Sequence, residues 1–487
     1  MSNFLSLQYF LPELCLLIFT LLIIVFELIP SLKKHTFNLS VLGLIITSLL
    51  LLQSHGENAP LFLGMIIIDP FSHFFKYIFL ISTLLVIVIS RFTKELDSIY
   101  FSEYLALLYI MLFGLFLMSS SINLLMIILS IETVSIASYI LAGILKYDNK
   151  SNESSLKYVI FGAFATGIML YGMSWLYGFS GSLNFYQIND ALQNLEDPFI
   201  VYMAIVMILA GIGYKIAMAP FHYWSPDVYE GAPTTMTAYF SVAPKAAGFA
   251  LMARFFYVSF TDYSSGIPFG VSNVDWMTIV AILAAATMTI GNILALRQEN
   301  VKRMLAYSSI AHAGYMLMAL CVATESALIS VMFYLFTYLF MNLGAFFILI
   351  YANNTMNVET IKDFNGFGAR SPLLAACMVL FLLSLTGLPP TSGFIAKFYL
   401  FAAMIEAQKF YWLAVIAILN TVVSLFYYFS IAKSMYLDKI ENDEKLDYNP
   451  VFTAIVLICA LPTAFLIINW SSLYNYIASS ILNGIGQ

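Results

Sequence analysis

At 487 residues the chain is long enough for several water-soluble domains, yet 61% of it is hydrophobic and only 10% charged, against about 25% charged in a globular protein. With a mean hydropathy of +0.89, too few polar side chains exist to cover a water-facing surface, and the composition indicates an all-α, polytopic membrane protein. A formal charge of −6 gives no reason to expect nucleic acid as a partner.

A bilayer crossing needs about 20 apolar residues of helix. Such runs fall near 10–30, 36–54, 71–90, 103–120, 122–145, 156–178, 199–222, 234–260, 275–296, 303–322, 327–351, 372–408, 411–436 and 450–470, about fourteen spans. The twelfth is too long for one crossing and contains Leu388-Pro389-Pro390, where two prolines remove backbone donors and predict a broken helix. Similar punctuation marks the seventh, with Gly211 and Gly213 before Lys215 and then Pro220. Broken, lysine-bearing spans at corresponding places are the pattern of inverted-repeat transporters. The expected organisation is an N-terminal three-helix segment (1–100), a first repeat of helices 4–8 (101–260), a second, inverted repeat of helices 9–13 (261–436), and a last helix with a short outer tail (437–487).

With the N-terminus outside, fifteen of the 21 Lys and Arg fall in inner connections and only Lys409 outside; Lys76, Lys215, Lys245, Arg254 and Lys397 lie within spans. This asymmetry follows the positive-inside rule and puts both termini outside. No basic residue precedes the first apolar run, unlike a cleavable signal peptide.

Redox and nucleotide machinery is not visible. Cys15, Cys321, Cys377 and Cys459 are far apart, with no CxxC. The five histidines form no haem-like pair, and there is no complete GxGxxG or GxxxxGK[ST]. No metal or cofactor is expected on this chain, so any electron transfer belongs to other polypeptides.

The informative residues are ionisable ones inside spans, each costing roughly 2.5–3.5 kcal/mol against lipid. Glu132, Lys215, Lys245 and Lys397 are deep and are expected to face protein or water. Acids and lysines so placed mark proton or ion paths, and a carboxylate's charge sets the proton affinity of a lysine beside it. Lys76 and Arg254, nearer span ends, suit structural ion pairs or snorkelling chains, and Lys157 fits either role. His222, after Pro220 at the seventh span's break, and His312 in the tenth span suit proton relays or hydrogen-bonded packing equally.

Three long motifs carry a resemblance. Phe221-His-Tyr-Trp-Ser-Pro-Asp227-Val-Tyr-Glu230-Gly-Ala-Pro-Thr234, the segment Leu296 to Gly314 around Lys302, Arg303 and His312, and Gly387-Leu-Pro-Pro-Thr-Ser-Gly393-Phe-Ile-Ala-Lys397 are similar to those of the antiporter-like membrane subunits of respiratory complex I, the NADH-quinone oxidoreductases. The resemblance spans essentially the whole chain. It implies that Glu132, Lys215, Lys245 and Lys397 occupy the family's fifth-, seventh-, eighth- and twelfth-helix positions. There Glu132 would tune Lys215, and the proton would pass through water and Lys245, with His312 as an optional relay, to Lys397. Lys245, Lys397 and a chain that runs only from Ser471 to Gln487 after the last span resemble the N-type subunit, a relative of the mitochondrial second subunit. The resemblance further implies K-type and M-type membrane neighbours, with FMN, iron–sulfur clusters, NADH and quinone in partner subunits. A bacterial inner membrane or a mitochondrial inner membrane would house such a chain. The same fold and charges also occur in large subunits of Mrp-type cation/proton antiporters and membrane-bound hydrogenases.

Overall fold

A computed structural model describes residues 3–96, 100–193, 198–260, 274–438, 445–446, 449–482 and 484, and these are almost entirely helical. In chain order the helices are α1 (Asn3–Tyr9), α2 (Leu11–Leu28), α3 (Thr36–Gln53), α4 (Pro70–Ser90), α5 (Phe101–Ser120), α6 (Leu124–Ala142), α7 (Asn149–Ser180), α8 (Phe185–Leu192), α9 (Phe199–Ile216) and α10 (Trp224–Gly231). They continue as α11 (Thr234–Ser259), α12 (Trp276–Ala295), α13 (Val301–Leu320), α14 (Glu325–Met356), α15 (Phe367–Arg370), α16 (Pro372–Thr386), α17 (Ser392–Glu406), α18 (Tyr411–Tyr436), α19 (Pro450–Phe465) and α20 (Trp470–Leu482). Between α3 and α4 a small antiparallel hairpin pairs β1 (Ala59–Leu61) with β2 (Ile66–Ile68), Leu61 opposite Ile66. The sequence reading did not contain this hairpin, because three-residue strands show no alternation to read.

Among the described residues ten helices are long and apolar enough to cross a membrane, and α19 with α20 makes an eleventh if that bent pair is one span. The remaining three of the fourteen expected spans are present in other forms. Helices α11 and α13 have the length, 26 and 20 residues, but carry Lys245, Arg254, Lys302, Arg303 and His312. The twelfth is split into α16 and α17. Helix α11 is buried from Thr234 to Ser259 and α14 nearly so, so the polar helices are shielded from lipid. The periphery is apolar: α18 alone exposes Val415, Ile418, Leu419, Val422, Phe426 and Phe429. A polar interior inside an apolar wrap is what a bilayer requires, and the chain is an integral, multi-pass membrane protein.

Local sequence fixes the helix starts. Asn123, Asp148, Asn184, Asp275, Asn300, Thr324 and Asn449 each cap the following helix through a side-chain oxygen, and Asp69 with Ser72 closes a capping box on α4. Glu95 clamps the start of α11, accepting from the Thr234 amide (2.6 Å) and hydroxyl (2.6 Å) and from Asn353 Nδ2 (2.8 Å) at the end of α14.

Both expected breaks occur. Helix α9 stops where Ala217 takes a left-handed backbone (φ 58°), and α16 stops at left-handed Gly387 (φ 86°); each gap holds a cis X-Pro bond, Ala219-Pro220 and Pro389-Pro390. The first break begins after Gly211 and Gly213, which stay helical. Their role is close packing: a Cβ on Gly211 would lie 2.4 Å from Met169 Sδ, and one on Gly213 2.6 Å from Met218 Cε. The expected outer tail is also more than a tail. After α19 the chain turns by 89° into α20, which buries Ile477 and Ile481 and stacks Tyr476 on His55.

Candidate functional site

Lys215, Lys245 and Lys397 are all buried, with 2%, 1% and 4% of their surface exposed. None forms an ion pair among the described residues; each ammonium is held by a neutral oxygen. Lys215, on the last turn of α9, donates to Ser135 Oγ of α6 at 3.2 Å. Lys245 follows Pro244 inside α11 and donates to Ser309 Oγ of α13 at 2.6 Å. Lys397, on α17, donates to the Thr386 carbonyl that ends α16, at 2.7 Å, and lies 4.7 Å from the centroid of the Tyr315 ring.

One stripe of α13 joins the second and third lysines. Ser309, His312 and Tyr315 stand three residues apart, so they share a helix face. Ser309 receives Lys245. His312 Nδ1 shares a hydrogen bond with the Tyr334 hydroxyl, and its Nε2 lies 3.0 Å from the Tyr428 hydroxyl. Tyr428 pairs in turn with Ser308, and the ring of Tyr315 is the one that faces Lys397. Both ring nitrogens of His312 contact hydroxyls, groups that can give and accept protons, an arrangement that suits a relay and hydrogen-bonded packing alike. Ser309, Tyr315, Tyr334 and Tyr428 are additions to the sequence reading. A polar i, i+3, i+6 stripe on α13 is the signal that could have found Ser309 and Tyr315; Tyr334 on α14 and Tyr428 on α18 carry no such signal.

The first lysine stands apart. No hydrogen bond among the described residues bridges Lys215 to Lys245, so a proton passing between them requires water. The break after Lys215 is well anchored: the Ala219 amide donates to Thr287 Oγ1 (3.0 Å), and Trp224 Nε1 to the Tyr214 carbonyl (3.0 Å) in the last turn of α9. His222, in this connection, is buried beside the Tyr223 ring, and among the described residues it makes no hydrogen bond to any of the lysines. Glu132 is only half-buried and makes neither hydrogen bond nor ion pair among the described residues. It sits one turn before Ser135, the serine to which Lys215 donates.

The other buried charges are structural pairs. Lys76 meets Glu13 at 2.6 Å, both wholly buried. Arg254 holds Asp69 with two nitrogens (2.7 and 2.9 Å) and donates Nε to the Ser119 carbonyl (3.0 Å), tying α11 to the cap of α4 and the end of α5. Lys157 is likewise settled as an ion-pair residue. Asp227 of α10 receives Lys157 and Arg303, both at 2.7 Å, while Glu230 adds Arg303 at 3.0 Å and Glu153 adds Lys157 at 2.6 Å. Asp227 lies outside the ten spans; burial alone would raise its carboxyl, but hydrogen bonds and charge from Lys157 and Arg303 outweigh that and hold it below the usual value. Among the described residues no cluster of histidine, cysteine and carboxylate could hold a metal.

Two broken helices and buried lysines without counter-ions among the described residues, two of them set against one polar stripe of α13, define a cation-translocating membrane protein of the antiporter type. The chain belongs to the NADH:quinone oxidoreductase/Mrp antiporter membrane family, whose model matches residues 121–424. It is 44% identical over 453 residues to NADH-quinone oxidoreductase subunit N 2 of Chloroherpeton thalassium, covering 90% of this chain and 87% of that protein. Among solved structures it is similar to a chain of respiratory complex I from Thermus thermophilus with bound aureothin (27% identity, TM-score 0.79, 98% of this chain and 100% of that one). A chain of the Mrp complex of Dietzia superposes with a TM-score of 0.82 at 18% identity, covering 99% of this chain and 98% of that one, a likeness of fold alone.

Proposed function

We propose that this chain is a proton-translocating membrane subunit of an NADH:quinone oxidoreductase, in the N-type position. The observation that carries this reading is the series of buried lysines held by neutral oxygens, two of them set against the α13 stripe of Ser309, His312 and Tyr315. NADH oxidation and quinone reduction, with their FMN and iron–sulfur clusters, belong to partner subunits. K-type and M-type subunits are its membrane neighbours. Spans 4–8 and 9–13 act as two inverted halves, one centred on Lys215 and the other on Lys397. In a bacterial inner membrane the face bearing Lys146, Lys150 and Lys302 is the inner one, and both termini lie outside.

In this mechanism a change arriving from neighbouring subunits alters the field at Glu132, which shifts the proton affinity of Lys215. Lys215 releases its proton through water to Lys245. Ser309, His312 and the Tyr334 and Tyr428 hydroxyls carry it toward Lys397, which discharges it outward. Each transfer moves one proton and leaves no net chemistry on the chain.

The test is Lys215→Ala in an assembled complex, where proton pumping and the coupled quinone reductase activity should fall sharply. Unchanged pumping would sink the role. The second reading, a large subunit of an Mrp-type antiporter, is favoured by the shared fold, and a sodium requirement for transport together with the absence of redox subunits in the purified complex would select it.

A further inference from the structure

At the face bearing Lys146, Lys150 and Lys302, a cleft of about 540 Å³ opens between the α2–α3 connection, the end of α4 and the start of α5. Its cations are Lys33, Lys34 and Arg91, and hydroxyls of Thr36, Ser90 and Ser102 lie along it. Glu27 pairs with Lys33, and Glu103 is also near it, so the excess positive charge rests on Lys34 and Arg91. Neither forms an ion pair among the described residues; Arg91 is instead braced on the Phe37 ring, 4.9 Å from its centroid. We infer that this cleft binds the phosphate headgroup of an anionic phospholipid.

Two further observations select that occupant. The cleft lies where helices end, the depth of headgroups in a bilayer, and a basic pocket between helix ends on the positively charged side attracts anionic lipid. Its α2 and α3 walls are peripheral: only 39% and 33% of these spans is buried, against 78% for α4. Below the cleft α2 exposes Ile24, Val25 and Leu28, and α3 exposes Leu42, Ile45 and Leu49, so acyl chains attached to a bound phosphate would lie on apolar surface. A planar guanidinium braced on a ring, in one cleft with a lysine ammonium, suits a phosphate oxyanion. The bound headgroup would tie the α2–α3 pair to α4 and α5. This inference does not depend on the chain moving protons.

The experiment is native mass spectrometry of the delipidated, purified membrane complex offered phosphatidylglycerol or phosphatidylcholine in mixed micelles. Phosphatidylglycerol should be retained preferentially on this chain, and Lys34→Gln with Arg91→Gln should weaken that retention roughly 30-fold. Equal retention of the two lipids, or no loss in the double variant, overturns the inference. Displacement by millimolar inorganic phosphate would assign a free-phosphate site and overturn the lipid reading. A salt titration of the unaltered complex avoids any folding defect of the variant: phosphatidylglycerol retention should fall as salt rises, and retention independent of salt overturns the inference.

Discussion

Lys397 donates to the Thr386 carbonyl 2.7 Å away, so an ammonium on α17 rests on the open end of α16, across the break in its own span. The last carbonyls of a helix lack intrahelical partners and form the negative end of its dipole. A break placed beside a lysine therefore supplies a resting place for its charge without a carboxylate. That arrangement holds the proton while leaving the site electrically simple, because no counter-ion has to move when the proton leaves.

Gly387 makes this contact possible. Its φ of 86° disfavours a side chain, and a Cβ there would stand 2.6 Å from Lys397 Cδ. Gly387→Ala should cost about 1–3 kcal/mol in backbone strain and push Lys397 off the Thr386 carbonyl. The expected outcome is a complex that still assembles, seen by co-purification of its subunits, with pumping reduced at least tenfold. Normal pumping in that complex would show the carbonyl contact to be dispensable.

The α13 stripe yields a graded prediction. His312→Leu removes the partner of both the Tyr334 and Tyr428 hydroxyls; leaving a buried hydroxyl unpaired costs about 1–3 kcal/mol, though Tyr428 keeps Ser308. His312→Gln keeps hydrogen bonds but cannot cycle between protonated and neutral forms. If His312 relays protons, both variants should lose pumping, and only the leucine variant should also lose thermal stability. A glutamine variant that pumps normally would reduce His312 to a packing role.

Glu132 and Asp69 separate a charge that acts at a distance from one that holds the fold. Glu132 has no ion pair among the described residues, so Glu132→Gln should change thermal stability by less than about 0.5 kcal/mol while lowering the pumping rate. Asp69 is wholly buried beneath Arg254, and Asp69→Ala, which strands that guanidinium, should cost about 3–5 kcal/mol and impair assembly. Melting curves of the two purified complexes distinguish the cases; equal destabilisation would refute the division.

The spans and their breaks were legible because bilayer thickness and proline chemistry act on single stretches of sequence. So were the deep lysines, since charge inside an apolar run is conspicuous. What each lysine touches was not legible. Ser135 and Ser309 look like any helical serine, a type that commonly satisfies itself on its own backbone, and the partner of Lys397 is a carbonyl without any side-chain signature. The half-exposure of Glu132 was equally hidden, because position within a span does not reveal which way a helix faces when its apolar residues run all round. Glu13, the partner of Lys76, lies 63 residues away, a pairing only tertiary structure makes.

The ion-pair lattice on α10 sets a sign for acid behaviour. Burial works against ionisation of Asp227, but Lys157 and Arg303 more than compensate, and its carboxyl is held below the ordinary value. A carboxylate with a depressed folded-state pKa contributes stability that is fully present above the unfolded value, about 3.9, and is lost as pH falls through the folded value. The complex should therefore melt at progressively lower temperature as pH drops below about 4. Asp227→Asn should remove this share of the acid sensitivity while lowering the melting temperature near neutral pH, where the charged form contributes most. Because Asp227 bridges α7, α10 and α13, the loss should be felt as loosening of α10 against both neighbours, readable as faster amide exchange in Trp224–Gly231. Exchange unchanged by the substitution would place the anchor of α10 elsewhere, in the stacking of Trp224 on Tyr158 at 4.4 Å.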